Sequence, residues 1–266
     1  RRRRRRRSGR VSAPLVELRR VSKSFGATRA LDDVTFAVQA GEIHVLAGEN
    51  GAGQSTLIRV LSGVITEHEG EVLVNGERAR FRDTRDAARA GIATIHQELS
   101  LVGSMTVAEN LALAGARGAS MLGWVRRADD VRAAREILRG MDLDVDPEAL
   151  VESLPLSAQQ LLEIARALAR DARVLVLDEP TSALSEAEAE RLLARVEGLA
   201  EAGCGVVYIS HRMEENDRLA DRVTVLRDGR VVASRPAGEL PRAELVALMM
   251  GTAAAPAAEP PAVTTA

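Results

Sequence analysis

The feature that most constrains this chain is a buried-looking strand that runs straight into a glycine-rich loop and then a helix. Ile43–Ala47 is a continuous apolar run. It ends in Gly48-Glu49-Asn50-Gly51-Ala52-Gly53-Gln54-Ser55-Thr56, and the residues from Thr56 to Leu61 carry helical spacing. Glycines at such a junction let backbone N–H groups wrap an anion, and the positive end of the helix dipole lies behind them. The loop fits the phosphate-loop template at every position but one. Ser55 falls where a hydroxyl reaches Mg²⁺, and Gln54 stands where the template has lysine.

That exception has a chemical meaning. A lysine supplies a point charge to the β- and γ-phosphates, whereas glutamine donates only neutral hydrogen bonds. Nucleotide binding through the loop backbone and Mg²⁺ survives the change. The transition state suffers more, by ~3–4 kcal/mol or roughly 10²–10³ in rate for the loss of one such stabiliser. Lys23, the only lysine, lies in an early strand and is a poor replacement.

A second station follows 130 residues later. Val174-Leu175-Val176-Leu177-Asp178-Glu179-Pro180 is an apolar strand ending in two carboxylates. Asp178 is suited to the Mg²⁺ shell and Glu179 to polarising a water as general base. A third apolar strand, residues 206–209, closes on Ser210 and His211. His44, His68 and His96 show no ligand spacing, so no further metal is assigned to them.

Around these stations the pattern is α/β. Residues 15–18 and 31–38 read as strands, and residues 71–74 with Asn75-Gly76 as a hairpin arm and its turn. Residues 107–150 read as mostly helical. Pro155 opens a helix that runs through residues 161–169, since a first-turn proline loses no intrahelical bond. Residues 185–200 form a helix between two strands, and residues 223–226 and 231–233 a hairpin. Short apolar strands alternating with helices imply a parallel sheet covered on both faces.

Composition narrows the class. With 266 residues, 46% of them hydrophobic, the chain can bury a sizeable core. Eight arginines fall in residues 1–10. The rest carries 28 basic against 38 acidic residues, about −10, which argues against a nucleic-acid-binding face. Residues 1–13 read as a disordered Arg-rich tail, 14–251 as the folded domain and 252–266 as an Ala/Pro-rich linker or tail. The lone Cys204 excludes an intrachain disulfide and suits a reducing compartment. No apolar run approaches the roughly 18 residues that span a bilayer. The first residue is not Met, which reads as a fragment or an uncertain start.

Taken in order, the loop at 48–56, Ile95-His96-Gln97-Glu98, residues 154–168, residues 174–184 and Tyr208-Ile209-Ser210-His211-Arg212 resemble an ABC transporter ATPase domain. The resemblance covers residues 15–251. Its wording at residues 95–101, 106–111, 163–168 and 222–229 is nearest the monosaccharide (ribose- or xylose-type) importers. It implies a P-loop NTPase (RecA-like) core with an antiparallel β lobe and a helical lobe at about 97–165.

It also implies ATP and Mg²⁺ as cofactors, with Gly48, Glu49, Asn50, Gly51, Ala52, Gly53, Gln54, Ser55 and Thr56 around the phosphates. Glu179 and His211 then act in hydrolysis. Gln97 resembles the glutamine that touches Mg²⁺ and the attacking water and senses the membrane subunit. Ser55, Gln97 and Asp178 make up the metal set, and Phe25 stands where an aromatic ring stacks on adenine. Ser182-Ala183-Leu184-Ser185 resembles the loop facing the opposite ATPase domain, with Ser185 where aspartate is common.

Two departures accompany Gln54. Leu154-Pro155-Leu156-Ser157-Ala158 aligns with the family's signature, but Pro155 has neither a hydroxyl nor an N–H to offer a partner's γ-phosphate. Asn216 and Asp217 stand where apolar residues are expected after the switch histidine.

The implied partners are membrane permease subunits, a second ATPase domain (a homodimer or the other half of a tandem chain) and, indirectly, a periplasmic sugar-binding protein. No nucleic-acid partner is expected. The implied place is the cytoplasmic face of the membrane. Two functional readings follow: an ATPase energising sugar import, or a hydrolysis-poor half of an asymmetric pair. A soluble ABC protein acting on nucleic acid has only the arginine tail in its favour.

Overall fold

The computed structural model describes residues 13–95, 99–115 and 127–252; the two tails, apart from Ala13 and Thr252, and Gln97 lie outside them. Two sheets organise the fold. The first is antiparallel, in the order β2-β1-β4-β5, built from β1 (Val16–Phe25), β2 (Thr28–Val38), β4 (Glu69–Val74) and β5 (Glu77–Ala79). The second has six strands in the order β10-β9-β3-β8-β7-β6. It contains β3 (Ile43–Ala47), β6 (Ile92–Ile95), β7 (Val174–Asp178), β8 (Gly205–Ile209), β9 (Arg222–Arg227) and β10 (Arg230–Pro236). All its pairs are parallel except β9–β10.

The apolar runs explain this sheet. In β7, Leu175 and Leu177 enter one core while Val174 and Val176 enter another, and in β8 the pairs Val206/Tyr208 and Val207/Ile209 divide the same way. Strands buried on both faces need cover on both. One face is covered by α3 (Val107–Leu113), α5 (Leu156–Leu168), α6 (Glu186–Glu201) and α8 (Arg242–Met250). The other is covered by α1 (Gln54–Leu61) and the antiparallel sheet. Leu57, Ile58, Val60 and Leu61 of α1 are all buried, and each contributes about 1.5–3 kcal/mol of burial. The remaining helices are α2 (Thr84–Arg89), α4 (Arg127–Gly140) and α7 (Met213–Leu219).

The order of strands places the chemistry. β8 lies between β3 and β7, and all three point the same way, with Val45 beside Tyr208 and Asp178 beside Ile209. The loop after β3, the acids ending β7 and the histidine after β8 therefore meet at one edge, the carboxyl end of a parallel sheet.

Several expectations change. β1 runs to Phe25, well past Leu18, because register shifts carry pairing through a polar stretch that does not alternate. β2 begins at Thr28 rather than Leu31. The helical stretch expected to reach residue 150 ends with Gly140; residues 141–150, holding Pro147 and three aspartates, are turns, followed by a short 3-10 helix at Val151–Ser153. Pro155 is the N-cap of α5 rather than a residue of its first turn. The hairpin turn at Asn75-Gly76 has both residues at positive φ, 52° and 85°, the geometry of a tight two-residue loop.

Candidate functional site

Two glycines fix the loop after β3. A Cβ on Gly48 would stand 2.7 Å from the Leu226 carbonyl oxygen, so only glycine lets the strand end lie this close to β9. Gly53 has φ 109°, and a Cβ there would come 2.7 Å from the Ala30 carbonyl. The turn joining β9 and β10 locks the arrangement. Gly229 N–H donates to the Ala52 carbonyl at 3.0 Å, and the Gly229 carbonyl accepts from Asp32 N–H at 2.8 Å. Among the described residues no side chain caps α1, so its first-turn N–H groups are left for an anion.

Asn50, Gly51, Gly53, Gln54, Ser55 and Thr56 line a cleft of about 200 Å³. Asp178, Glu179, His211, Ile209 and Ala30 line the same cleft. Ala52 is buried and Glu49 exposed beneath and beside it, joined by an Ala52 N–H to Glu49 carbonyl bond of 3.0 Å. The Ser55 hydroxyl and Asp178 carboxylate are hard oxygen donors in one cleft. They fit Mg²⁺, which takes one or two protein oxygens beside phosphate oxygens and water.

Gln54 lines this cleft, but its carboxamide nitrogen is engaged by the protein backbone. Its Nε2 donates to the Leu46 carbonyl at 2.8 Å, folding the carboxamide back onto the end of β3. The cleft thus holds two carboxylates and no lysine.

Glu179 and His211 are a contacting pair, with His211 Nε2 2.9 Å from Glu179 Oε1. Glu179 has φ 48°, a conformation that is uncommon for a side chain of its length, and its N–H donates to the Ile209 carbonyl at 2.9 Å. Behind the pair lies Glu215 of α7, only 5% exposed. Its carboxylate accepts from Thr181 Oγ1, Tyr208 Oη and Ser210 Oγ, each at 2.7 Å. Arg212 Nη1 lies 3.2 Å from the same carboxylate. Burial and the neighbouring carboxylate push the Tyr208 phenol far above its usual range, so it stays a donor.

Phe25 is not brought into this cleft. It stands 48% exposed at the end of β1, with the Lys23 ammonium 5.4 Å from its ring centroid. At the expected signature, Pro155 is exposed, and Ser157 Oγ donates to Glu188 at 2.8 Å. Glu188 also accepts from Ser185 N–H at 3.1 Å and from Ser185 Oγ at 2.6 Å, tying this segment to the start of α6.

A second hollow of about 300 Å³ lies where β6 meets the helices, lined by Thr84, Ala88, Thr94, Ser100, Glu163 and Arg166 among others. Glu163 is buried and accepts from Ser100 N–H at 3.1 Å and Arg166 Nη2 at 2.9 Å. Thr94 Oγ1 is buried with no partner among the described residues. Gln97 follows β6 by two residues.

Glu215, Thr181 and Gly229 were not anticipated from sequence. Gly229 had a signal, a glycine inside a tight hairpin. Glu215 had none, since Glu214-Glu215 reads as an ordinary polar start to a helix.

A glycine-rich loop joining a buried parallel strand to an uncapped helix, with acids ending a nearby strand, defines a nucleotide-binding α/β protein of the P-loop NTPase class. The ABC transporter family matches residues 31–182, and the chain belongs to that family. It is 48% identical over 238 residues to a ribose import ATP-binding protein of Rubrobacter xylanophilus, covering 90% of this chain and 48% of that protein. It is also 48% identical over 232 residues to an arabinose import ATP-binding protein of Burkholderia thailandensis, covering 87% of this chain and 46% of that one. The chain thus spans about half the length of the curated relatives it matches. Its fold matches a dimeric ATP-binding cassette in a post-hydrolysis state bound to ADP and Pi, with a TM-score of 0.69 and 25% identity over 84% of this chain and 98% of that one.

Proposed function

We propose that this chain binds MgATP and couples its binding and hydrolysis to sugar import, with Gln54 holding hydrolysis well below what the rest of the site sustains. The observation that carries this is the Glu179–His211 pair, set 2.9 Å apart in a phosphate-loop cleft that has Gln54 at the lysine position. The α1 N-terminus and loop backbone hold the phosphates. Ser55 and Asp178 would hold Mg²⁺, which would supply positive charge to the phosphates. Glu179 takes the proton of the attacking water, and His211 orients Glu179 and contacts the γ-phosphate. Gln97 completes the water- and metal-facing set, and Phe25, exposed in the single chain, stacks on adenine.

The sugar assignment rests on the similarity to ribose and arabinose import ATP-binding proteins and does not choose between them. A second ATPase domain, as a second copy or the other half of a tandem chain, supplies the facing signature. The hollow beside β6 suits a permease segment, because it is lined by the polar side chains of Thr94, Ser100 and Arg166. This reading sets the chain at the cytoplasmic face of the membrane, with a periplasmic sugar-binding protein as its indirect partner. The Gln54–Leu46 bond favours one variant, in which this is the hydrolysis-poor half of an asymmetric pair.

Calorimetric titration with MgATP tests the binding reading. Saturable binding that weakens in Asp178→Asn and Ser55→Ala is expected. An absence of saturable binding contradicts it.

A further inference from the structure

Asn216 interrupts the apolar pattern expected after His211, and its surroundings give it a task. It is 3% exposed, and its Nδ2 donates to the Ser210 carbonyl at 3.1 Å. Its Oδ1 is buried with no hydrogen-bond partner among the described residues. A buried, unpaired amide oxygen is a cost that an apolar side chain would not carry. The side chain is therefore poorly chosen for packing alone. What it gains is a hold on the peptide that links Ser210 to His211.

The neighbouring residue holds the same loop by its side chain. Glu215 accepts from Ser210 Oγ at 2.7 Å, and Ser210 Oγ in turn accepts from Arg212 N–H at 3.0 Å. Through its other oxygen Glu215 accepts from Thr181 Oγ1, two residues beyond Glu179. Consecutive residues of α7 thus grip both loops whose side chains meet at the Glu179–His211 contact. Glu179 sits at φ 48°, a backbone that persists only where its surroundings over-determine it.

We infer that Asn216, together with Glu215, is a positioning residue that fixes the Ser210–His211 peptide and so sets His211 against Glu179. The clamp trades stability for site geometry. This rests on the reading of Glu179 and His211 as the hydrolytic pair. Removing Asn216 loosens the imidazole without loosening nucleotide, which is held by the opposite wall of the cleft.

Two measurements test this. In the Gln54→Lys background, Asn216→Leu is expected to lower kcat for ATP about tenfold or more. KM should stay within about twofold and Tm should not fall. Asp217→Ala, whose carboxylate is half-exposed and 3.8 Å from Arg242, serves as the neighbour that leaves kcat unchanged. The second measurement needs no turnover. In the unaltered chain, Glu179→Gln shifts the His211 imidazole ¹⁵N resonance, and in Asn216→Leu that response falls to less than half. An undiminished response, or an unchanged kcat, overturns the clamp. So does a loss of kcat that comes with a lowered Tm, since packing then explains it. If the Gln54→Lys chain hydrolyses no ATP, the hydrolytic reading falls, and the imidazole response still decides whether Asn216 sets the contact.

Discussion

The carboxamide of Gln54 donates a 2.8 Å hydrogen bond to the carbonyl of Leu46, so the residue at the lysine position is tied to the strand behind the loop. Two consequences follow from that bond. Among the described residues the phosphate cleft is lined by no lysine or arginine, and the loop keeps its shape without one, because Gly229 N–H donates to the Ala52 carbonyl from the other side.

Gln54→Lys should therefore favour the triphosphate. A lysine there reaches the β- and γ-phosphates, so MgATP affinity is expected to rise by about tenfold and MgADP affinity by less. Calorimetry with both nucleotides checks the difference. Equal gains for both would place the new charge elsewhere.

In the Gln54→Lys chain, Glu179→Gln should lower kcat by roughly 10²–10⁴ while leaving MgATP binding in place. Single-turnover kinetics beside a binding titration separate the two effects. A loss of binding with little change in the rate of bound nucleotide would give Glu179 a different role.

Gly53→Ala should destabilise the fold and weaken nucleotide together. The added Cβ would meet the Ala30 carbonyl at 2.7 Å in a residue with φ 109°. Strain of this kind costs about 1–3 kcal/mol, readable in urea unfolding. Gly238→Ala, where a Cβ meets nothing within 4 Å, is the matched control.

His44 gives a pH dependence distant from the cleft chemistry. It is fully buried, with Nδ1 2.9 Å from the Ala37 carbonyl and Nε2 2.7 Å from Thr224 Oγ1, an arrangement that fits one neutral tautomer. Burial first, then Arg222, lowers its pKa from 6.5 to about 3. The unfolded chain therefore takes up a proton below pH 6.5 that the folded chain refuses. His44's contribution is complete above that pH and is lost as pH falls toward 3. Between pH 6 and 5 the loss approaches about 1.4 kcal/mol per unit. Unfolding free energies over that range should fall more steeply for the natural chain than for His44→Gln.

Much of the parallel core was legible because its strands are short, apolar and separated by helices of clear period. Ile43–Ala47, Val174–Asp178 and Gly205–Ile209 read almost to the residue. β1 was legible only in part, since its second half pairs through bulges that erase the alternation on which strand reading rests. The turns at residues 141–150 were read as helix because leucine and methionine continue the pattern past Gly140 while Pro147 lies further on. In the site, the loop glycines and the acids of β7 announced themselves by spacing. The Glu215 carboxylate did not: which face of a short helix is buried depends on neighbours 34 and 7 residues away, Thr181 and Tyr208. The fold-back of Gln54 was also illegible, because sequence gives the residue type and not the direction of its amide.

The central claim is that the site is competent apart from one residue, and steady-state ATP turnover tests it most directly. The natural chain is compared with Gln54→Lys, and the same chain bearing Glu179→Gln as well provides the blank. The account predicts that the lysine chain turns over about 10²-fold faster than the natural one and well above the blank. Equal rates in the natural and lysine chains, both above the blank, would contradict it, because the missing charge would then be supplied by another group.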